Sequence, residues 1–198
     1  MFSTHQKAIA DFALSSNVGL ERTFRLVFLS IRQPFHAMHK QMRDVDENGM
    51  QSPYLFGWKR SGLAFVRANA STLRETLKAV PSGYGDAQAL LDVATVPGLG
   101  LVKAGFVLQL VTGSVGCLDS HNIERFGLNV NAFKYGSNAS DALKRKKALA
   151  YLDACWKAGG CESLWNGWCE HVAENQPKHW KDGFAVSKMH ETAILGEY

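Results

Sequence analysis

Apolar residues recur at helical spacing along almost the whole chain, and no alternating apolar and polar run is long enough to force a sheet. The clearest case is Cys161, Leu164, Trp165, Trp168 and Val172, which fall at i, i+3, i+4, i+7 and i+11 on one helical face. Phe24, Val27, Phe28 and Ile31 make a similar stripe that Pro34 ends. Phe35, Met38, Met42 and Val45 carry a second helix as far as Asp46-Glu47-Asn48-Gly49, so the first third reads as a helical hairpin. The expected fold class is all-α.

Gln51 to Phe56, with Pro53, reads as a surface loop, and Trp58, Phe65 and Val66 suggest the next helix. Thr72 with Glu75 three residues later has the form of a capping box, which predicts a new helix carrying Leu73 and Leu77. The stretch Pro81-Ser82-Gly83-Tyr84-Gly85 breaks the chain, after which Asp86 can cap a helix bearing Leu90, Leu91 and Ala94. Further on, Ser140 opens a helix with Leu149, Leu152 and Trp156 on one side, stopped by Gly159-Gly160. The Trp and Phe residues of these stripes read as core fillers. With 198 residues, 46% of them apolar, the chain has enough to build one compact helical unit over 1–198.

No basic opening segment precedes an apolar stretch, and no run of about 18 apolar residues occurs, so a cytoplasmic protein with no membrane partner is expected. Cys117, Cys155, Cys161 and Cys169 lack CxxC spacing and read as reduced, partly buried thiols. His36 and His39 form an HxxH pair without a visible third ligand, and neither a metal nor a cofactor is expected. A net charge of +4 supports a polyanionic partner only weakly. Lys144-Arg145-Lys146-Lys147 is either a solvated helix face or part of a grip on such a partner.

One run stands apart, VPGLGLVKAGFVLQL followed by CLDSHNIER. In the turn Pro97-Gly98-Leu99-Gly100 the glycines permit positive φ and remove side chains, so backbone can come close to another surface. The helix starting at Leu101 adds unpaired amides at its N-terminus. Amides and helix dipole together favour an anion, and a phosphodiester held this way is held whatever the base sequence. An ordinary helix corner without a ligand has the same local sequence. Asp119, ahead of Ser120 to Phe126, also stands where a helix N-cap would stand.

Two helices joined by PGLG, an apolar helix and then LDSH closely resemble the hairpin (about 86–112) and catalytic-aspartate segment (117–126) of the helix-hairpin-helix DNA glycosylase superfamily, which includes endonuclease III and the adenine mismatch glycosylase. The resemblance covers about 35 residues. It implies a two-lobed helical bundle acting on double-stranded DNA. Pro97, Gly98, Leu99, Gly100, Leu101 and Lys103 would hold the phosphate strand, and Asp119 would support the positive charge that builds on the sugar as the base leaves. His121 and Asn122 become candidates to line the pocket of the everted base.

Departures from the family pattern matter as much. Where bifunctional members carry a Schiff-base lysine this chain has Val102, with Lys103 one place later and about 100° further round the helix. Lys103 is retained as a candidate catalytic residue. Three roles stay open for it: phosphate contact, reaching the pocket from a shifted helix, or covering the surface. Water is then the expected nucleophile, as in monofunctional members. The iron–sulfur cysteine quartet is also missing, because Cys155, Cys161 and Cys169 have the wrong spacing. Tyr54, Phe56 and Gln51 are candidates for the wedge that fills the gap left by an everted base. Two other functions remain open: a phage-type enzyme of DNA base hypermodification on the same fold, and a DNA-binding or virion-associated module without chemistry.

Overall fold

The computed structural model describes residues 4–31, 33, 35–81, 85–175 and 183–197. Every regular element among them is helical, with α1 (Thr4–Ser15), α2 (Asn17–Ser30), α3 (Met38–Asn48), α4 (Gly57–Lys78), α5 (Ala87–Ala94), α6 (Leu101–Val111), α7 (Ser120–Arg125), α8 (Asp141–Lys157), α9 (Gly160–Asn175) and α10 (Gly183–Leu195). The all-α expectation holds. None of these helices is long and apolar enough to cross a membrane.

The local signals that start these helices have visible causes. Asp86, Asp119 and Ser140 each accept a backbone N–H of the first turn, from Gln88, Asn122 and Leu143 respectively, which satisfies a donor that the helix itself cannot. Ser16 does the same for α2 through Gly19. Pro34, read as the stop for α2, lies outside the described residues, as do residues 82–84 of the break before α5; α2 itself ends at Ser30.

Two expectations need correcting. Thr72 and Glu75 do not begin a helix, because α4 runs unbroken from Gly57 to Lys78 and Thr72 lies within it. No proline interrupts that stretch, and Leu63, Val66, Ala70, Leu73 and Leu77 keep one buried face throughout, so burial continues the helix past the capping signature. On α8, Leu149 (51% exposed) and Trp156 (77%) point to solvent rather than to the core. The buried face is instead Ala148, Tyr151, Ala154 and Cys155, whose smaller residues let α8 lie close to its neighbours.

Helix α2 is central and packs on α1, α3, α4, α6 and α10. Helix α8 packs on α5 and α9, and α9 on α7 and α10. Helices α1 and α10 also pack together, joined by an ion pair of His5 with Glu191. The chain therefore returns on itself. Its buried apolar residues form one contiguous cluster from Ile9 to Ile194. Helix α6 runs through the middle of this arrangement, packed on α1, α2 and α5, and places the turn before it at one end.

Candidate functional site

The turn between α5 and α6 is exposed at Pro97, Gly98 and Gly100, whereas the Leu99 and Leu101 side chains are buried and anchor it. Of the residues expected to hold a strand here, these two leucines could therefore contribute only backbone. The two glycines serve different purposes. Gly98 has φ of 86°, and a Cβ there would lie 2.5 Å from Cε3 of Trp58, so both its conformation and its packing demand glycine. Gly100 is extended (φ −104°, ψ −179°), and a Cβ there would meet nothing within 4 Å. The protein's own packing makes no demand for glycine at 100. Beyond it the amides of Leu101 and Val102 open α6 and have no carbonyl four residues back within the helix.

The segment leading to Asp119 is held from several sides. The Tyr151 hydroxyl donates to the Gly116 carbonyl (2.9 Å) and accepts from the Leu118 amide (2.8 Å). Gln109 of α6 accepts the Cys117 amide at 3.2 Å and donates to the Cys161 carbonyl, also at 3.2 Å. Asn122 Nδ2 donates to the Cys117 carbonyl at 2.9 Å. Gly105 and Gly116 let these parts meet, since a Cβ on Gly105 would lie 2.3 Å from the Tyr151 hydroxyl and one on Gly116 2.2 Å from Leu164. Asp119 thus leaves a backbone fixed by α6, α7 and α8.

Asp119 is half-buried and borders a cavity of about 680 Å³. This is within the usual range for small-molecule sites, about 300–1,000 Å³. The end of α2 contributes Ser30 and Ile31, α6 contributes Val102, Lys103 and Phe106, and α9 contributes Trp168 and His171. Of the other sequence candidates, His121 and Asn122 also line it. Asp119, Lys103, His121 and Asn122 are therefore brought together, next to the turn that precedes α6.

Lys103 reaches this cavity although it follows Val102, the position matched to the family's lysine. Its Nζ donates to Ser30 Oγ (3.3 Å) and lies 5.3 Å from the centre of the Phe106 ring. Nearby, Lys59 is 1% exposed and donates to the Ile31 carbonyl at 3.3 Å; burial, followed by the charge of Lys103, lowers its pKa. Two lysines thus converge on the C-terminal end of α2, where a helix dipole favours positive charge. Cys117, beside this cavity, has its thiol pushed up to about 12 by burial, so it is no nucleophile at neutral pH.

His121 is stacked on His171 of α9, with ring centres 3.5 Å apart and planes inclined by 18°. Burial, and then the neighbouring His171, lower the His121 pKa. The stacked pair covers one edge of the cavity near Asp119.

Elsewhere the candidates separate. In the basic run, Lys144 pairs with Asp141 (3.2 Å) and Lys147 donates to the Asn131 carbonyl (2.9 Å), while Arg145 and Lys146 are exposed. It is not a continuous stripe. His39 Nε2 lies 3.0 Å from the Met189 carbonyl and from Thr192 Oγ1, so it joins α3 to α10. Among the described residues no group of three His, Cys, Asp or Glu could hold a metal ion. All four cysteines are free. Gln51 and Phe56 are exposed and Tyr54 half-buried, and none of the three borders the cavity.

Several cavity residues carried no functional signal in the sequence. Trp168 belongs to a stripe that also serves the core, and His171 and His190 are isolated histidines on helices. No protein family, curated protein or solved structure matches this chain.

Proposed function

We propose that the protein binds double-stranded DNA through the turn before α6 and acts on an everted base in the adjoining cavity, as a monofunctional DNA glycosylase does. The observation that carries this reading is that Asp119 borders a cavity of nucleotide-binding size directly beside an exposed glycine turn and a helix N-terminus. The two-lobed helix-hairpin-helix arrangement belongs to the same reading. It draws support from an α5–α6 pair joined by Pro97-Gly98-Leu99-Gly100 and from a cavity between α2, α6 and α9.

In this mechanism the amides of Leu101 and Val102 and the Lys103 ammonium hold phosphate, and the cavity receives the base. The N-glycosidic bond breaks with its electron pair passing to the base. Asp119 faces the cation growing on the sugar and accepts a proton from the water that adds to C1′. Base hypermodification is a second reading of the same cavity.

Asp119→Asn separates chemistry from structure, because asparagine caps a helix about as well as aspartate. The expected result is an unchanged melting temperature and duplex affinity, with base release or alteration slowed by about 10²–10³-fold. Mass spectrometry of nucleosides and free bases released from damaged and modified duplexes makes the measurement. Equal behaviour of parent and variant on every substrate would leave only the non-catalytic module. Borohydride trapping assigns the nucleophile, with no covalent DNA adduct expected and a Lys103 adduct overturning the water mechanism.

A further inference from the structure

The cavity wall holds two hydrogen-bond acceptors, on Asn122 and His190, for which no bond is seen from a described residue. Asn122 is 1% exposed and spends both protons of its amide on the Cys117 and Leu164 carbonyls (2.9 and 3.4 Å), while its Oδ1 has no partner among the described residues. Buried polar atoms are nearly always paired, so an orphan acceptor in a residue that borders a cavity asks for a donor from outside the protein.

The second acceptor is on His190 of α10, which also borders the cavity. Its Nδ1 faces the Val186 carbonyl at 3.1 Å and must carry the proton, which leaves Nε2 with its lone pair. Burial drives the pKa of this ring down to about 3, so it stays neutral and an acceptor at any physiological pH. Around it stand Phe35, Trp165 and Trp168, with ring centres 4.3, 4.9 and 5.1 Å away. Aromatic walls suit a flat ring, and two acceptors suit a ring whose edge bears N–H groups.

We infer that Asn122 and His190 read the edge of the heterocycle and select amino-bearing rings, of adenine or cytosine type, over thymine- or uracil-type rings. The inference rests on the proposal that this cavity receives a base. An amino group supplies the N–H that each acceptor lacks, whereas the carbonyl oxygens flanking the ring N–H of thymine would face them with like charge. A buried acceptor left unpaired by the wrong ligand is a strong source of discrimination.

The test is binding of 9-methyladenine, 1-methylcytosine, 1-methylthymine and 1-methyluracil, in which a methyl group stands in for the sugar, to the full chain at neutral pH, read by quenching of tryptophan emission. Adenine or cytosine should bind at least about tenfold more tightly than thymine or uracil, the effect of roughly one hydrogen bond. His190→Phe, which suits the surrounding aromatic rings, should reduce the amino-bearing bases to the level of thymine and leave thymine unchanged. His190→Gln restores an acceptor and should recover part of the preference, which a purely structural role would not predict. Equal or tighter binding of thymine and uracil, no binding of any base, or a preference indifferent to His190→Phe would each overturn the inference. Should His190→Phe fail to fold, Asn122→Ser is read in the same way. Affinity for plain duplex DNA is measured separately. Duplex binding without base preference sinks this inference alone, and base preference without duplex binding sinks the DNA reading alone.

Discussion

The turn at 97–101 and the cavity beside it are built on opposite principles. The turn offers backbone: exposed glycines, two helix amides and no titratable side chain, all from one short run of sequence. The cavity offers side chains, drawn from positions as distant as Ser30 and His190, with aromatic rings, a carboxylate, a lysine and imidazoles. Backbone amides can grip a phosphate strand but cannot tell one base from another. Side chains converging on a cavity can discriminate, yet have no hold on a duplex. A protein acting on one base within a long polymer, as proposed for this one, needs both, and the turn and the cavity share helix α6.

The comparison can be broken first at Gly98. Gly98→Ala forces a side chain into positive φ and against Trp58, so a loss of about 2–4 kcal/mol is expected, with the melting temperature lower by ~5–15 °C. Thermal unfolding followed by circular dichroism measures it, and an unchanged melting temperature would contradict the packing of the turn on Trp58. Gly100 should respond in the opposite sense. Gly100→Leu has open space and an extended backbone, so stability should hold while affinity for all duplexes falls by about tenfold, regardless of sequence. Loss confined to one sequence would move base reading into the turn. The smallest effect is expected on α8, where the basic run is partly engaged with the protein itself. The double change Arg145→Gln, Lys146→Gln should weaken duplex binding by less than about threefold and leave its salt dependence nearly unaltered; a slope lower by about 2 would place that face on the phosphates.

How much of this was readable beforehand divides along the same line. Helix starts that depend on one side chain and the next turn were legible, as Asp86, Asp119 and Ser140 show. The Thr72 signature misled because a capping pattern is local, whereas the buried face that carries α4 through it is set by distant neighbours. Leu149 and Trp156 misled for a related reason: on α8 the larger apolar residues point outward and the close-packed face uses alanine, cysteine and one hydrogen-bonded tyrosine. In the site, Asp119 and the glycine turn were legible as contiguous text. His171, Trp168 and His190 were not, because nothing in their own segments says which distant helices enclose them. Lys103 lay between these cases: its register argued against a place in the pocket, but the side chain is long enough to reach Ser30 from there.

The open space at Gly100 has a practical side. The native thiols are all raised by burial, Cys117 and Cys161 to about 12, and therefore react slowly with alkylating dyes. A cysteine introduced at residue 100 would be the fast-reacting one, and a fluorophore attached there would stand on the outer edge of the turn without displacing any neighbour. Under the proposed function such a label would also obstruct the strand, as Gly100→Leu does, so loss of duplex binding on labelling would mark the surface on which the strand lies.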